Sequence, residues 1–432
     1  MNRLDRIAAW VERQDRAVLT LWVFTASVLL TMVAVLVAAR MGGASTGTVE
    51  YEQIARNVAA GHGFVFRAGE SPVLWRPPLY VYILALFYSL MRDPYPLVVG
   101  LQIVLSGATA AIAFRIGERI FSRTVGALAA LAVSVYPIFM YNCLRLMPEA
   151  LFSLVLAVAV LLLIDYLRAS RWTTSVALGL LLGVASLLKA SAMLLPLFIL
   201  AGMLLAPRGR TLRTLEHWAV LAFAMALTIL PWTLRNYRVS GDLIPIDSSG
   251  GYAFWVGNRL ETDGQDDDPL PPEQIEEIMN DAARIIGIDH SPGSEFSVIW
   301  AKGAYGKALQ HAAIRSIIHH PVATAGLWVR KLYRFWFTYI GTRSGIQAAV
   351  FWLQLALLLP AIMGLLAAWR DGRAVRPLLL VIAYFVLLHV ATAANVRYSA
   401  PILPFIMLVA AYGVVCAGRR WRQMRRGTPA CG

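Results

Sequence analysis

The most constraining feature of this 432-residue chain is a series of apolar runs, each about 20 residues long. A run of that length crosses the hydrocarbon core of a bilayer as one helix, and a helix satisfies its own backbone hydrogen bonds inside lipid. Hydrophobic residues make up 58% of the chain and charged residues only 15%, a composition far from that of a soluble domain. The sequence therefore predicts an all-α polytopic membrane protein with about ten transmembrane helices.

Ten runs are predicted to span the membrane, at residues 18–40, 95–116, 124–142, 148–167, 173–188, 191–206, 215–234, 347–368, 376–394 and 400–418. The first run is too long for the apolar region of a cleaved signal peptide, which favours a membrane anchor. A further apolar stretch at 77–91 is short and starts with two prolines. We predict an interfacial helix there, because the arginine-rich loops then all fall on one side, as the positive-inside rule requires.

This topology predicts a multi-pass protein of a bacterial inner membrane, with both termini in the cytoplasm and two large segments in the periplasm. The predicted divisions are 1–234, a transmembrane module with juxtamembrane helices in its first periplasmic loop 41–94; 235–346, a periplasmic segment; and 347–432, the C-terminal helices with a basic cytoplasmic tail. The net charge of +14 lies in the short patches that set topology. Membrane lipids are therefore expected as partners, and nucleic acid is not.

Sequence motifs for nucleotide or metal chemistry are absent. There is no Walker motif, nucleotide-binding glycine-rich loop, His-rich metal spacing or G-x-S-x-G elbow. Cys143, Cys416 and Cys431 are too widely separated in sequence to indicate a metal motif or a disulfide framework. An enzyme working outside the cell on such a scaffold needs another kind of activated donor, and a membrane-embedded lipid phosphate is suited to that.

Two clusters of acidic and polar residues lie at predicted outer membrane boundaries, where charged groups are costly and often functional. The first loop carries Glu50, Tyr51, His62 and Arg76. A carboxylate there can act as a general base, or the helix that bears it can be no more than a solvated interfacial helix. Glu149 opens a predicted span, where the helix dipole favours an acid with or without a chemical role.

Two further clusters are basic. Arg235 and Asn236 leave the membrane together, so the arginine can bind a headgroup phosphate or extend to ordinary phospholipid. Arg397 and Tyr398 lie at another outer boundary, and Lys189 ends a span on the same predicted side. Several cations that converge from separate helices would form an anion site, whereas a single interfacial cation would not.

An ordered series of motifs covers the chain from residue 50 to 404: Tyr51–Phe64, Arg76–Tyr80, Met147–Glu149, Gly183–Lys189, Pro231–Tyr237, Gly257-Asn258, His320-Pro321 and Arg397–Pro404. Each motif is weak alone. The ordered set resembles the polyprenyl-phosphate-sugar glycosyltransferases of the GT-C superfamily. It is most similar to the branch with the protein O-mannosyltransferases and the aminoarabinose transferase that acts on lipid A, glycosyltransferase family 39-like.

The resemblance implies an inverting transfer of a sugar from a polyprenyl phosphate to a lipid, glycan or protein acceptor on the periplasmic face. The roles that it implies are catalysis by Glu50 and Glu149, donor-phosphate binding by Lys189, Arg235 and Arg397, and a substrate pocket of Tyr51, His62, Arg76, Asn236, Asn258 and Tyr398. No metal ligand is predicted. A divalent metal is the only cofactor that the resemblance leaves open.

One position departs from the family pattern. The family has an aspartate four residues before the first-loop tyrosine, where this chain has Gly47. Glu50, one helical turn along, can take over as the base. Alternatively, the chain is a non-catalytic lipid-phosphate binding or transport protein on the same scaffold. A general secondary transporter is a weaker reading, because no repeated halves with broken helices are evident.

Overall fold

The computed structural model of the chain describes residues 3–40, 49–169, 171–205, 211–260, 272–287, 303–338 and 344–425. Within these ranges the regular elements are helices, and the one extended pairing is an isolated antiparallel bridge between Val65 and Pro72. The predicted all-α polytopic class is therefore confirmed. The division of the chain into three parts stays a prediction, and Gly47 and the acidic stretch 263–268 lie outside the described residues.

The helices in chain order are α1 (Arg3–Arg13), α2 (Arg16–Ala38), α3 (Val49–Ala59), α4 (Pro78–Leu90), α5 (Tyr95–Ile120), α6 (Arg123–Val135), α7 (Pro137–Leu144), α8 (Glu149–Arg168), α9 (Trp172–Leu188), α10 (Leu195–Leu204), α11 (Thr211–Ser240), α12 (Ser249–Val256), α13 (Pro272–Ile286), α14 (Gly303–His319), α15 (Pro321–Phe337), α16 (Ser344–Arg370), α17 (Arg376–Ala391) and α18 (Leu403–Arg425). Two 3-10 turns, Ala190–Ala192 and Val396–Ile402, precede α10 and α18.

Six helices in the described part are long and apolar enough to cross a membrane: α2, α5, α8, α11, α16, and the Val396–Met424 segment that contains α18. Helices α6 and α7 form a seventh span if their 48° bend is a break within one crossing. Pro137 begins α7, and because proline has no N–H to donate to the preceding turn, it accounts for the bend. The other three of the ten predicted spans are the shorter apolar helices α9, α10 and α17.

Charged side chains join several helices at one end of the bundle, which we call the basic end. Arg16 at the start of α2 and Arg123 at the start of α6 both donate to Glu118 near the end of α5, at 3.2 and 2.9 Å. Arg119 donates to Asp165 near the end of α8 at 2.6 Å. The arginine-rich loops predicted to share one side therefore do lie together, and which side of the membrane they face stays a prediction.

Glycines let the helices approach closely above the basic end. A Cβ built on Gly117 of α5 would lie 2.5 Å from the Cα of Gly126 in α6 and 2.7 Å from Leu408 Cδ2 in α18. No side chain fits in that space, so the backbones of α5 and α6 are in direct contact. Membrane helices associate largely through this kind of small-residue packing, because lipid offers no hydrophobic gain.

The opposite end of the bundle, which we call the site end, is joined by polar contacts to the backbone. Tyr80 of α4 donates to Gln102 Oε1 at 3.2 Å, and Gln102 Nε2 donates to the carbonyls of Cys143 and Arg145, each at 3.0 Å. Gln102 is buried inside α5, where an unpaired amide would be costly. These bonds bring the start of α4, the first turns of α5, the end of α7 and the approach to α8 together.

Helix α4 lies along α3 rather than crossing the bundle. Arg76, just before α4, donates to Glu50 of α3, and Tyr88 in the last turns of α4 donates to Glu52 of α3 at 3.0 Å. Both ends of α4 are therefore bound to the same short helix at the site end. This is the juxtamembrane arrangement predicted for residues 77–91.

Candidate active site

A buried ion pair occupies the centre of the site end. Glu149 is the first residue of α8 and only 2% of its surface is exposed. Lys189, which follows the last residue of α9, donates from Nζ to Glu149 Oε1 at 3.1 Å. Arg397 lies close enough for its charge to act on the same carboxylate. Two cations from separate helices thus converge on one acid, as an anion site would require.

The second oxygen of this carboxylate has unused hydrogen-bonding capacity. Among the described residues, Glu149 Oε2 is buried and has no hydrogen-bond partner. A buried carboxylate oxygen without a partner is costly, and such groups in folded proteins usually await a ligand or an ordered water. The oxygen is therefore available to a polar group that enters the site.

Aromatic rings form one wall beside the lysine. Lys189 Nζ is 5.8 Å from the ring centre of Tyr398 and 5.9 Å from that of Phe152, within cation–π range. The Tyr398 ring stacks on His389, with centroids 4.6 Å apart and planes 7° from parallel. The sequence analysis missed His389, because a lone histidine in an apolar run carries no signal of what it stacks against.

A capped turn holds Arg397 and Tyr398 in place. Asn395 precedes the 3-10 turn Val396–Ile402, and its side-chain oxygen accepts from the backbone N–H of Arg397 at 3.1 Å. This is the usual way in which asparagine fixes the first turn of a helix. The Arg397 guanidinium in turn lies 5.4 Å from the Tyr398 ring. The motif at residues 395–401 is thus a rigid support for one arginine and one tyrosine.

The first loop brings a second group to the same end. Arg76 Nε donates to Glu50 Oε2 at 2.6 Å, and Nη2 of the same guanidinium donates to the same oxygen. Tyr51 is buried below, with its ring 5.5 Å from the Arg76 guanidinium carbon and edge-on to Tyr80 at 5.7 Å. Burial raises the pKa of the Tyr51 phenol, so it stays neutral. The charge of Glu149 also reaches Tyr51, which connects the two groups.

Asp247 is a functional candidate that the sequence analysis missed. The backbone N–H of Ser248 donates to the carbonyl of Leu74 at 2.8 Å, which joins the loop after α11 to the residues before Arg76. The Asp247 carboxylate acts electrostatically on both Arg76 and Tyr51. Burial raises its pKa above the usual range of an aspartate. An acid alone after an alternating apolar stretch was the available signal, but no pattern says which loop it will meet.

Arg235 and Asn236 are engaged in contacts that hold the first loop on α11. Arg235 Nη1 donates to the carbonyl of Val73 at 2.8 Å and to Asn236 Oδ1 at 3.0 Å, and the guanidinium lies 4.6 Å from the Trp232 ring. Asn236 Nδ2 donates to the carbonyls of Ile244 and Ile246, at 3.1 and 3.0 Å. These contacts place both residues beside the site, and a direct role for either in donor binding stays a prediction.

Asn258 and His62 lie in other surroundings. Asn258 is buried, donates to the carbonyl of Ala391 at 2.8 Å and accepts from Trp328 Nε1 at 3.0 Å, so it braces the end of α17. His62 is exposed on a turn between two glycines with positive φ, Gly61 and Gly63. Their predicted places in a substrate pocket therefore rest on the resemblance alone.

The described residues do not form a metal centre. No three His, Cys, Asp or Glu side chains among them come together in a way that could hold a metal ion. The undescribed part of the first loop, 41–48, contains none of these four residue types. A divalent metal bound by first-loop residues does not fit this chain, and we derive no step through one.

Solved structures share this fold. The archaeal oligosaccharyltransferase AglB from Archaeoglobus fulgidus, in complex with an inhibitory peptide and a dolichol-phosphate, gives a TM-score of 0.55 at 12% identity, covering 96% of this chain and 52% of that chain. The apo form gives 0.53 at 13% identity with the same coverage. ArnT from Cupriavidus metallidurans bound to undecaprenyl phosphate gives 0.40 at 18% identity, covering 92% and 79%. The present chain spans about half the length of the oligosaccharyltransferase.

Residues 75–233 match the family model described as dolichyl-phosphate-mannose-protein mannosyltransferase. The predicted resemblance to the GT-C glycosyltransferases is confirmed. The matched segment covers less than half of the chain and contains Arg76, Glu149 and Lys189. No curated protein sequence matches the chain. At such low identities the solved structures establish the fold and not the reaction.

Proposed function

We propose that the protein is an inverting glycosyltransferase that moves a sugar from a polyprenyl-phosphate donor to an acceptor on the periplasmic face of the inner membrane. The observation that carries this proposal is the buried Glu149–Lys189 pair, with Arg397 beside it and one carboxylate oxygen unused. Cations held in a dry site stabilise developing phosphate charge far better than cations in water.

In the proposed reaction the acceptor oxygen attacks the anomeric carbon while the bond from that carbon to the phosphate oxygen breaks. The electron pair leaves with the polyprenyl phosphate, and Lys189 and Arg397 meet its charge. Glu149 holds both cations at the site end, and its free Oε2 can accept from a hydroxyl of the sugar. A carboxylate at the site end takes the proton of the acceptor hydroxyl. The sequence predicts Glu50 for that step.

The comparisons support a lipid-linked donor. The matched family is described by a dolichyl-phosphate-linked mannose, and the oligosaccharyltransferase of similar fold was solved with a dolichol-phosphate. Which sugar is transferred, and whether the acceptor is a lipid, a glycan or a protein, follows from neither. The periplasmic location rests on the arginine-rich loops at the basic end, on the face opposite the site.

One sequence feature favours a second candidate function. Gly47 stands where the resemblance implies an aspartate, and a chain that has lost its base would bind a lipid phosphate without turnover. Such a binder or transport protein would keep the Lys189 and Arg397 cations and dispense with the carboxylates around Arg76.

The two functions differ in one product. We expect membranes that contain the wild-type protein and native acceptors to release free polyprenyl phosphate from at least one member of a panel of polyprenyl-phosphate sugars. Membranes with Glu149→Gln should lack this release, because the cations lose their counter-charge. Wild-type protein that binds the donors and releases nothing would contradict the transferase proposal and favour the binder.

A further inference from the structure

The acids of the first loop are engaged in other bonds. Both described bonds from Arg76 to Glu50 fall on a single oxygen, and Glu52 pairs with Arg56 at 2.7 Å. Glu70 lies 3.8 Å from Arg67. For a carboxylate in such a pair, proton uptake would break a charge-assisted hydrogen bond. The fourth acid, Asp93, accepts from the backbone of Tyr95 at the start of α5, and residues 41–48 contain no acid.

Asp247 differs from these acids in its surroundings. Among the described residues it forms no ion pair, and its two hydrogen bonds, from the N–H and hydroxyl of Ser249 at 3.0 and 2.6 Å, both fall on Oδ1. The Oδ2 atom is not used by either bond. The nearest opposite charge is that of Arg76, which already pairs with Glu50.

The segment that carries Asp247 is fixed on both sides. Trp232 Nε1 donates to the carbonyl of Ile246 at 2.8 Å, and Asn236 donates to the same carbonyl. On the other side, the N–H of Ser248 donates to Leu74. A residue held between α11 and the first loop has the preorganisation that proton transfer requires.

We propose, on the basis of the proposed transferase function, that Asp247 is the general base and that Glu50 positions Arg76. The acceptor hydroxyl gives its proton to Asp247 Oδ2 as its oxygen bonds to the anomeric carbon. The anomeric carbon–phosphate oxygen bond breaks, its electron pair leaves on the polyprenyl phosphate, and the proton later passes from Asp247 to water. The assignment supplies a base to a chain with Gly47 in the first loop.

Two further observations agree with this assignment. Burial brings the pKa of Asp247 closer to the working pH, which improves a general base. Beside it, Glu149 keeps a buried oxygen without a partner in the described structure, so the same end of the bundle has polar capacity reserved for a ligand. The charged and titratable groups that face Asp247 are Arg76 and Tyr51, both from the first loop.

The test compares three single variants in vesicles with saturating donor. Asp247→Asn keeps an oxygen for the Ser249 bonds and cannot take a proton, so we expect polyprenyl phosphate release to fall about 100-fold or more. Glu50→Gln should retain more activity than Asp247→Asn. Asp242→Asn, a change in the same loop, is the matched control and should behave as wild type. Binding of polyprenyl phosphate should be unchanged in all three.

The pH profile separates a base from a residue that only shapes the loop. Asp247 must be ionised to accept a proton, so the wild-type rate should fall on the acid side, through a pKa above the usual aspartate range. The residual rate of Asp247→Asn should lack this acid limb. Release by Asp247→Asn within a few fold of wild type would overturn the assignment, as would a lost rate accompanied by lost donor binding. An inactive wild type that still binds donor would instead overturn the transferase function itself.

Discussion

At the scale of single residues, the account depends on a charge that the protein buries and pairs. Glu149 is almost fully buried and Lys189 is 20% exposed, so each depends on the other to offset desolvation. Breaking such a pair from one side costs more than removing both charges, because the remaining charge has no compensation. This asymmetry separates the structural contribution of the pair from its role toward a donor.

We therefore predict that Lys189→Met lowers the free energy of unfolding by about 3 kcal/mol. The double change Lys189→Met with Glu149→Gln should recover more than half of that loss, yet leave the affinity for polyprenyl phosphate low. Thermal unfolding in detergent and lipid-phosphate binding measure the two quantities. Equal stability of the single and double variants would show that the pair is not buried as described.

The residues of the site were partly predictable. Glu149, Lys189 and Arg397 were each marked by a charge at the end of an apolar run, and the structure brings them together. Asp247 escaped because hydrophobic periodicity says nothing about which loops meet. Arg235 has the sequence signature of a phosphate ligand, a cation beside a tryptophan, but its described hydrogen bonds go to Asn236 and the carbonyls of Val73 and Phe64, the latter two in the distant first loop.

At the scale of elements, the runs of apolar residues located the helices well and their lengths less well. Helices α9 and α10 are shorter than a bilayer-crossing helix, because the chain leaves the helical conformation at Lys189 to direct that side chain toward α8. A hydropathy pattern cannot predict this break, since the residues on both sides are apolar. The site thus shortens two of the helices that carry it.

Close packing of α5 against α6 gives a prediction at this scale. Gly117→Leu should lower the stability by about 1–3 kcal/mol, because the new side chain would meet Gly126 and Leu408. Gly100→Leu on the same helix is the matched control, since no heavy atom lies within 4 Å of a Cβ at that position. Thermal unfolding in detergent should separate the two variants. Equal losses would mean that α5 and α6 are not in direct backbone contact.

At the scale of the whole molecule, the two ends of the bundle differ in chemistry. The basic end carries the arginine-rich loops, and the site end carries the buried acid, the cations and the first loop. The positive-inside rule then assigns the site end to the periplasm. With α4 lying along α3, the residues on both sides of α4 should face the same compartment.

Cysteine labelling tests this orientation in a background without the native cysteines. Ala68→Cys and Arg92→Cys, before and after α4, should react with a membrane-impermeant thiol reagent added to the periplasmic side. Ala169→Cys, in the loop at the basic end, should react only after the membrane is opened. Labelling of Ala68→Cys without labelling of Arg92→Cys would mean that α4 crosses the membrane.

The most direct test of the central claim measures both products of one turnover. Purified protein in vesicles would receive a polyprenyl-phosphate donor with a labelled sugar, together with extracts that contain native acceptors. The account predicts one free polyprenyl phosphate for each sugar transferred, with both signals lost in Glu149→Gln. Donor that binds tightly at Lys189 and Arg397 and is recovered intact, with no sugar on any acceptor, would contradict it.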